Sequence, residues 1–194
     1  MKLKASYPAA FSLLSRGTLL AVGAAMTLGA CGSRILASDP AQTHLPEAIR
    51  VPAGNQVILT AEGRGNLLYE CQAIRRAPFE YAWLLRNNGL ELKDGSGRTI
   101  TYYPGARSRW VHSDGSQVAA NELIEVPGDP KNLPLQRAKA EPAKSQGALE
   151  NVSYVQNQRT QGGVVTAKPC TAAGLGMRMV VPYEADYVFW RPVS

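Results

Sequence analysis

The chain has 194 residues, with 21 lysines and arginines against 15 aspartates and glutamates, two histidines and three cysteines. Three of the basic residues, Lys2, Lys4 and Arg16, fall in the first 30 positions, which hold no acidic residue, so the remaining 18 against 15 leave only +3 over 164 residues. A charge this small, with no block of five or more basic residues, gives little electrostatic case for nucleic acid, and two histidines leave almost no material for a histidine-based metal site or general base.

The first segment reads as an address. Basic residues are followed by an uncharged run over 17–28 and then by Leu28-Gly29-Ala30-Cys31, the order of a secretory signal ending in a lipoprotein cleavage box. A membrane-spanning helix needs about 20 apolar residues, so this run is too short to stay as an anchor. The expectation is a signal peptide over 1–30 and a lipid on Cys31, which places the mature protein in a bacterial envelope, at the outer membrane facing the periplasm. Residues 32–49 are mixed and lack apolar periodicity, and read as a tether. The remainder, 50–194, has the size of one domain.

Val51-Pro52-Ala53-Gly54-Asn55 opens the domain with turn residues, and the β-branched run 56–61 predicts a strand. Gly63-Arg64-Gly65 predicts a hairpin turn, with 66–73 as the returning strand. Residues 79–85 alternate, with Phe79, Tyr81, Trp83 and Leu85 on one face, as a half-buried strand does. Two turns, Asp94-Gly95-Ser96 and Asp114-Gly115-Ser116, flank short strands at 99–103 and 109–112. Strand character continues over 117–126. Prolines 127, 130, 134 and 142 then interrupt the pattern, and 133–140 fits either a brief strand or a helical turn. Residues 148–160 and 164–167 resume the sheet, and 179–190 closes it with Ala185, Tyr187 and Phe189 on one face. Eight or so strands without an amphipathic helix predict an all-β antiparallel sandwich or barrel.

If the lipid occupies Cys31, then Cys71 and Cys170 remain, and an oxidising compartment favours their pairing. The competing arrangement is two separate buried thiols. Closing a loop of about 100 residues stabilises a fold by roughly 4–5 kcal/mol through chain entropy. No Cys-x-x-Cys motif is present, so the pair is structural rather than redox-active.

Several short runs now fall into a shared order: Val51-Pro52-Ala53-Gly54-Asn55, Ala61-Glu62-Gly63, Tyr69-Glu70-Cys71 and Tyr81-Ala82-Trp83, then Trp110 ahead of Asp114-Gly115-Ser116, Thr160-Gln161-Gly162-Gly163, Cys170, Val181-Pro182-Tyr183 and Ala185-Asp186-Tyr187. In this order the chain resembles a family of secreted bacterial and fungal proteins known as domain of unknown function 3455, over most of 51–190. The resemblance implies the domain limits and the pairing of Cys71 with Cys170, and implies no reaction. Where the family carries histidine, glycine and proline before the tryptophan, this chain has Tyr102-Tyr103-Pro104-Gly105-Ala106.

The remaining motifs have bland readings. Gly63-Arg64-Gly65 precedes a strand, whereas a phosphate cradle opens onto a helix. His112, Ser113, Asp114 and Ser116 include the residue types of a hydrolase triad, but neighbours on one turn cannot stack as nucleophile, base and orienter. Glu62, Glu70, Glu80, Asp114, Glu184 and Asp186 contain the material for a glycosidase-type pair, and each reads equally as a solvated carboxylate on an outer face.

Tyr102, Tyr103 and Trp110 lie near turns, where binding groups are free of sheet packing, and with Asp114 in the wall they form the candidate ligand site. In the competing reading Trp110 plugs one end of a barrel. The function these features favour is a non-enzymatic, lipid-anchored binding domain for a small ligand, glycan or envelope protein. A carboxylate-dependent hydrolase is the alternative. The membrane, reached through Cys31, is the other expected partner. No nucleic acid, cofactor, metal or catalytic residue is expected.

Overall fold

A computed structural model describes residues 42–74, 80–104, 107–142 and 145–193. Cys31, the signal and most of the expected tether lie outside the described residues. Eight strands run in order: β1 (Asn55–Ala73), β2 (Tyr81–Asp94), β3 (Thr99–Tyr103), β4 (Ser108–His112), β5 (Gln117–Val126), β6 (Leu135–Ala140), β7 (Tyr154–Gly162) and β8 (Arg178–Pro192). Each pairs antiparallel with the next, and β8 returns to β1, so the sheet closes as an up-and-down barrel. Of the two architectures left open by the sequence, the barrel is the one formed. Residues 133–140 resolve as strand from Leu135, whereas 164–167 adds no strand.

β1 corrects the expected hairpin, because it runs straight through Gly63-Arg64-Gly65 as one strand of 19 residues. Pairing on both sides overrides the local turn signal: Gly63 lies opposite Leu92 and Ala185, and Gly65 opposite Leu90 and Tyr183. The glycines answer to close approach rather than to a turn. A Cβ on Gly65 would stand 2.0 Å from the Gly89 carbonyl oxygen, and one on Gly63 2.9 Å from the Tyr187 ring.

The long strands β1, β2 and β8 also extend past the barrel. β2 meets β3 only at Leu92 and Lys93, so its earlier half projects with β1 as an arm, and Leu84 and Leu85 are exposed there. On the face expected to be half-buried over 79–85, Tyr81 and Trp83 are half-buried on this arm, the Trp83 indole donating to the Lys168 carbonyl at 2.9 Å, and Leu85 is exposed; Phe79 lies outside the described residues. Cys71, near the end of β1, is bonded to Cys170, with Cα atoms 5.4 Å apart. This ties the arm to the connection between β7 and β8, where Cys71 N–H also donates to Met177 O and Gly176 N–H to Cys71 O.

Residues 42–49 correct the expected tether. Leu45, Ile49 and Val51 are buried, and Gln42 both accepts from Val51 N–H at 2.7 Å and donates to its carbonyl at 3.2 Å. Gln156, an outward residue of β7, donates to Gln42 and to the Ile49 carbonyl and accepts from the Trp190 indole. The segment is a strap covering Val188 and Trp190 on the outer face, in a small apolar cluster with Val51. Two separated apolar residues in a polar stretch carry no periodicity, so no pattern in the sequence marks the strap.

Candidate functional site

An eight-stranded barrel has an interior just wide enough for its side chains or for one small ligand. Here alternation sends Leu92, Ile100, Trp110, Val118, Ala120, Ala138, Val155, Ala185, Tyr187 and Phe189 inward as the core. The base, where β2 turns into β3 and β4 into β5, is filled by a bonded polar group. His112 is fully buried, with Nε2 3.3 Å from Asp94 Oδ2 and Nδ1 2.9 Å from Asp114 Oδ1.

The two Asp-Gly-Ser turns repeat one geometry. Asp94 Oδ1 accepts from Ser96 N–H and Oγ–H at 2.9 and 2.7 Å, and Asp114 Oδ1 from Ser116 N–H and Oγ–H at 2.8 and 2.6 Å. The Ser96 hydroxyl first, with the Arg98 amide and His112, holds the Asp94 carboxyl well below the usual carboxylate range against the opposing effect of desolvation. The Ser116 hydroxyl and the Ala148 amide do the same for Asp114. This is a structural clamp, since Ser116 Oγ donates to the aspartate and not to the histidine, and Ser116 is buried. No group of three or more side chains able to hold a metal ion occurs among the described residues.

The opposite end is built differently. Toward the β3–β4 and β5–β6 connections a cavity of about 210 Å³ is lined by Tyr102, Trp110, Ala120, Ala138, Asn157 and Tyr187, with Asn121, Leu123 and Gln136 toward the rim. The small side chains of Ala120 and Ala138 leave the room. Tyr102 stacks on Trp110 with ring centroids 5.1 Å apart at 20°, and Phe189 meets Trp110 edge-on at 6.2 Å. Burial pushes the Tyr102 and Tyr187 phenols up, and Tyr183 up to about 12, so all three are neutral at ordinary pH.

Two atoms in this wall lack partners. Trp110 Nε1 and Asn157 Oδ1 are the buried side-chain polar atoms with no hydrogen bond among the described residues, in side chains of residues only 4% and 7% exposed. Asn157 Nδ2 is occupied, donating to the Tyr183 hydroxyl at 2.7 Å. A buried polar group without a partner costs about 1–3 kcal/mol, and native structures hold few of them. Trp110 and Asn157 both belong to the cavity wall, with these two atoms turned away from its accessible surface.

The structure thus brings Tyr102 and Trp110 together and separates the other two candidates. Tyr103, next to Tyr102 on β3, faces outward, 46% exposed, with the Arg109 guanidinium 4.6 Å over its ring. Asp114 belongs to the clamp at the base, not to the cavity wall. Trp110 is on a strand and buried in the core against Phe189, so it is not a loop residue, and its burial is what the competing reading of a ring plugging one end of the barrel expects. Asn157 is the site residue that the sequence does not single out, although Val155 and Asn157 share the inward phase of β7.

The carboxylates face elsewhere. Glu62, Glu184 and Asp186 line a shallow outer cavity of about 180 Å³. There Arg159 clamps Asp186 and Arg64 lies 3.3 Å from Glu62, so the group is an ion-pair ladder on the surface.

A closed antiparallel barrel with one bonded end and one cavity-bearing end defines the class of fold. Residues 95–191, half of the chain, match a family described as proteins of unknown function, DUF3455, and the chain belongs to that family. The matched stretch runs from the turn after β2 to the end of β8 and contains every residue that lines the cavity. No curated protein and no solved structure matches the chain.

Proposed function

We propose that this protein is a non-enzymatic binding domain of the bacterial envelope, held to the membrane by a lipid on Cys31, that takes a small molecule into the mouth of its barrel. The observation that carries the binding reading is the cavity of about 210 Å³ at the barrel mouth, lined by Tyr102, Trp110 and Tyr187 and by no charged side chain. The anchoring reading rests on the signal-like order of residues 1–30 and the cleavage box before Cys31. A disulfide between Cys71 and Cys170 accords with an oxidising compartment.

Both halves have direct tests. Labelled fatty acid is expected on the wild-type protein and not on Cys31→Ser, and a wild-type protein that never takes up label removes the anchor. For the cavity, protein purified from membranes is extracted with organic solvent and the extract examined by mass spectrometry. A small molecule in near-stoichiometric amount is expected from the wild type and not from Ala138→Met, whose longer side chain fills the cavity. Identical extracts from the two proteins would refute binding in the barrel.

A further inference from the structure

We infer that the strap side of the barrel, a basic patch of Arg50, Arg137, Lys139 and Arg191, docks on an anionic lipid surface, so that the folded domain meets the membrane as well as its lipid. The inference rests on the anchoring reading above and adds a second contact to it. The partners of the arginines mark the patch. Arg64, Arg86, Arg98, Arg107, Arg159 and Arg178 each lie against a carboxylate. Among the described residues Arg50, Arg109, Arg137 and Arg191 have no carboxylate within ion-pair reach. Arg109 stands apart, over Tyr103 on the face of β3 and β4. The other three lie together.

Contacts run through the patch without a break. The Arg50 guanidinium donates to the carbonyls of Leu45 at 2.8 Å and Thr43 at 3.0 Å, and Arg137 donates to the Arg50 carbonyl. Arg137 also lies 5.7 Å from the centre of the Tyr154 ring. Tyr154 pairs with Lys139 across β6 and β7, and both share with Arg191 the wall of a cleft of about 590 Å³ that holds no carboxylate. Carbonyls and a ring satisfy donors without cancelling charge, so the cations repel one another and attract anions. Glu47, the acidic residue of the strap, offsets one of them. The course of the chain selects the source of the anion. Gln42, at the start of the strap, is bonded to Val51 and Gln156 on this same side, and Cys31 precedes it by eleven residues. An extended chain spans at most about 3.6 Å per residue, so a lipid on Cys31 stands no more than about 40 Å from Gln42. Anchoring therefore concentrates this side against the membrane, where an anionic leaflet favours each nearby lysine or arginine about fivefold.

The test uses the whole protein purified from membranes and reconstituted with vesicles of phosphatidylcholine alone, or of phosphatidylcholine and phosphatidylglycerol in equal parts. Both carry a trace of lipid with a photoreactive headgroup, and mass spectrometry maps the crosslinks after illumination. Crosslinks are expected on the peptides that contain Arg50, Arg137, Lys139 and Arg191, in phosphatidylglycerol vesicles at low salt, and are expected to vanish at high salt or in phosphatidylcholine. Lys139→Gln with Arg191→Gln, at two exposed positions, is expected to lower that yield by about fivefold or more. Arg109→Gln, which removes an unpaired cation elsewhere, should leave it unchanged. If the double variant melts early, Arg191→Gln alone decides. Crosslinks spread evenly over the barrel, equal yields from the two vesicles, or an equal loss from Arg109→Gln would overturn the inference. So would an unlabelled patch in which glycerol phosphate saturably protects Arg191 from phenylglyoxal, because the patch would then serve a soluble anion. Flotation separates this inference from the anchor. Protein that floats with both vesicles and is not crosslinked at the patch keeps the anchor and loses the docking. Protein that floats only with phosphatidylglycerol, crosslinked at the patch, keeps the docking and loses the anchor. Flotation with neither removes both.

Discussion

At its base the barrel sets a buried imidazole between one buried carboxylate and one exposed carboxylate and gives each several partners, while at its mouth it buries an indole N–H and an amide oxygen and gives them none among the described residues. Burial alone does not separate the two ends, since His112, Asp94, Trp110 and Asn157 are all nearly inaccessible. Satisfaction does. The base is a closed set of hydrogen bonds in which Asp94 and Asp114 are fixed by their own turns and His112 bridges them. Such a set holds two hairpin turns in one arrangement and has nothing left to offer a ligand. The mouth leaves one donor and one acceptor unpaired behind its wall and keeps open volume in front of it. The comparison teaches that equal burial can hide opposite degrees of satisfaction, complete where the turns are fixed and incomplete where the barrel keeps its cavity.

The largest expected effect is at the base. His112→Leu keeps a comparable volume and removes the hydrogen-bonding partner shared by the buried Asp94 and the exposed Asp114, a change expected to cost about 1.5–3 kcal/mol, read by urea denaturation. A loss below about 1 kcal/mol would mean that the two turns hold without their bridge.

The same contrast predicts opposite limbs of a pH profile. A carboxyl whose folded pKa lies below its ordinary value of 3.8, as for Asp94 and Asp114, stabilises the fold above that pH. That stabilisation is lost as the pH falls through and below that value. A phenol whose folded pKa is raised from 10.0 to about 12, as for Tyr183, stabilises the fold below pH 10 and loses that contribution as the pH climbs toward 12. Melting temperature plotted against pH is therefore expected to fall on the acid side through the base and on the alkaline side through the mouth. Asp94→Asn should flatten only the first limb and Tyr183→Phe only the second. One variant flattening both would show that the ends are not independent.

A smaller effect is expected from Trp110→Phe. It sheds an unpaired donor while losing some contact with Tyr102 and Phe189, so the two changes offset and the net cost is expected at about 1–2 kcal/mol. Chemical denaturation measures it. A cost equal to that of His112→Leu would mean that the indole N–H is bonded after all, and the distinction between the ends would disappear.

How much of this is legible in the sequence depends on the range of the interactions. The Asp-Gly-Ser turns are readable because an aspartate reaches its own serine two residues on, and β3, β4 and β8 because alternation is a local signal. Gly63 and Gly65 mislead because what they answer to, the Gly89 carbonyl and the Tyr187 ring, arrives only when β2 and β8 pair on either side. The strap escapes notice because the face it covers, Val188 and Trp190, looks like an outer face until the chain folds over it. Half of the candidate site is visible through Tyr102 and Trp110. Asn157 is not, because its significance lies in a missing bond, which no residue pattern records.

Adjacent tyrosines on β3 give the smallest and most discriminating prediction. Tyr102 and Tyr103 have the same side chain and differ only in the phase of the strand, one inward beside Trp110 and the other outward beneath Arg109. An exposed cation–π contact contributes about 0.5–1 kcal/mol, so Tyr103→Ala should shift stability by no more than that. It should leave unchanged the affinity for the small molecule that the membrane-purified protein releases, because the ring touches no part of the cavity wall. The measurement is a melting temperature beside a titration. If affinity falls while stability holds, the ligand extends over the rim to the outer groove that Tyr103 shares with Arg107 and Arg109. The site would then be larger than the barrel mouth, and the arginines of its outer edge would admit an anionic group to the ligand.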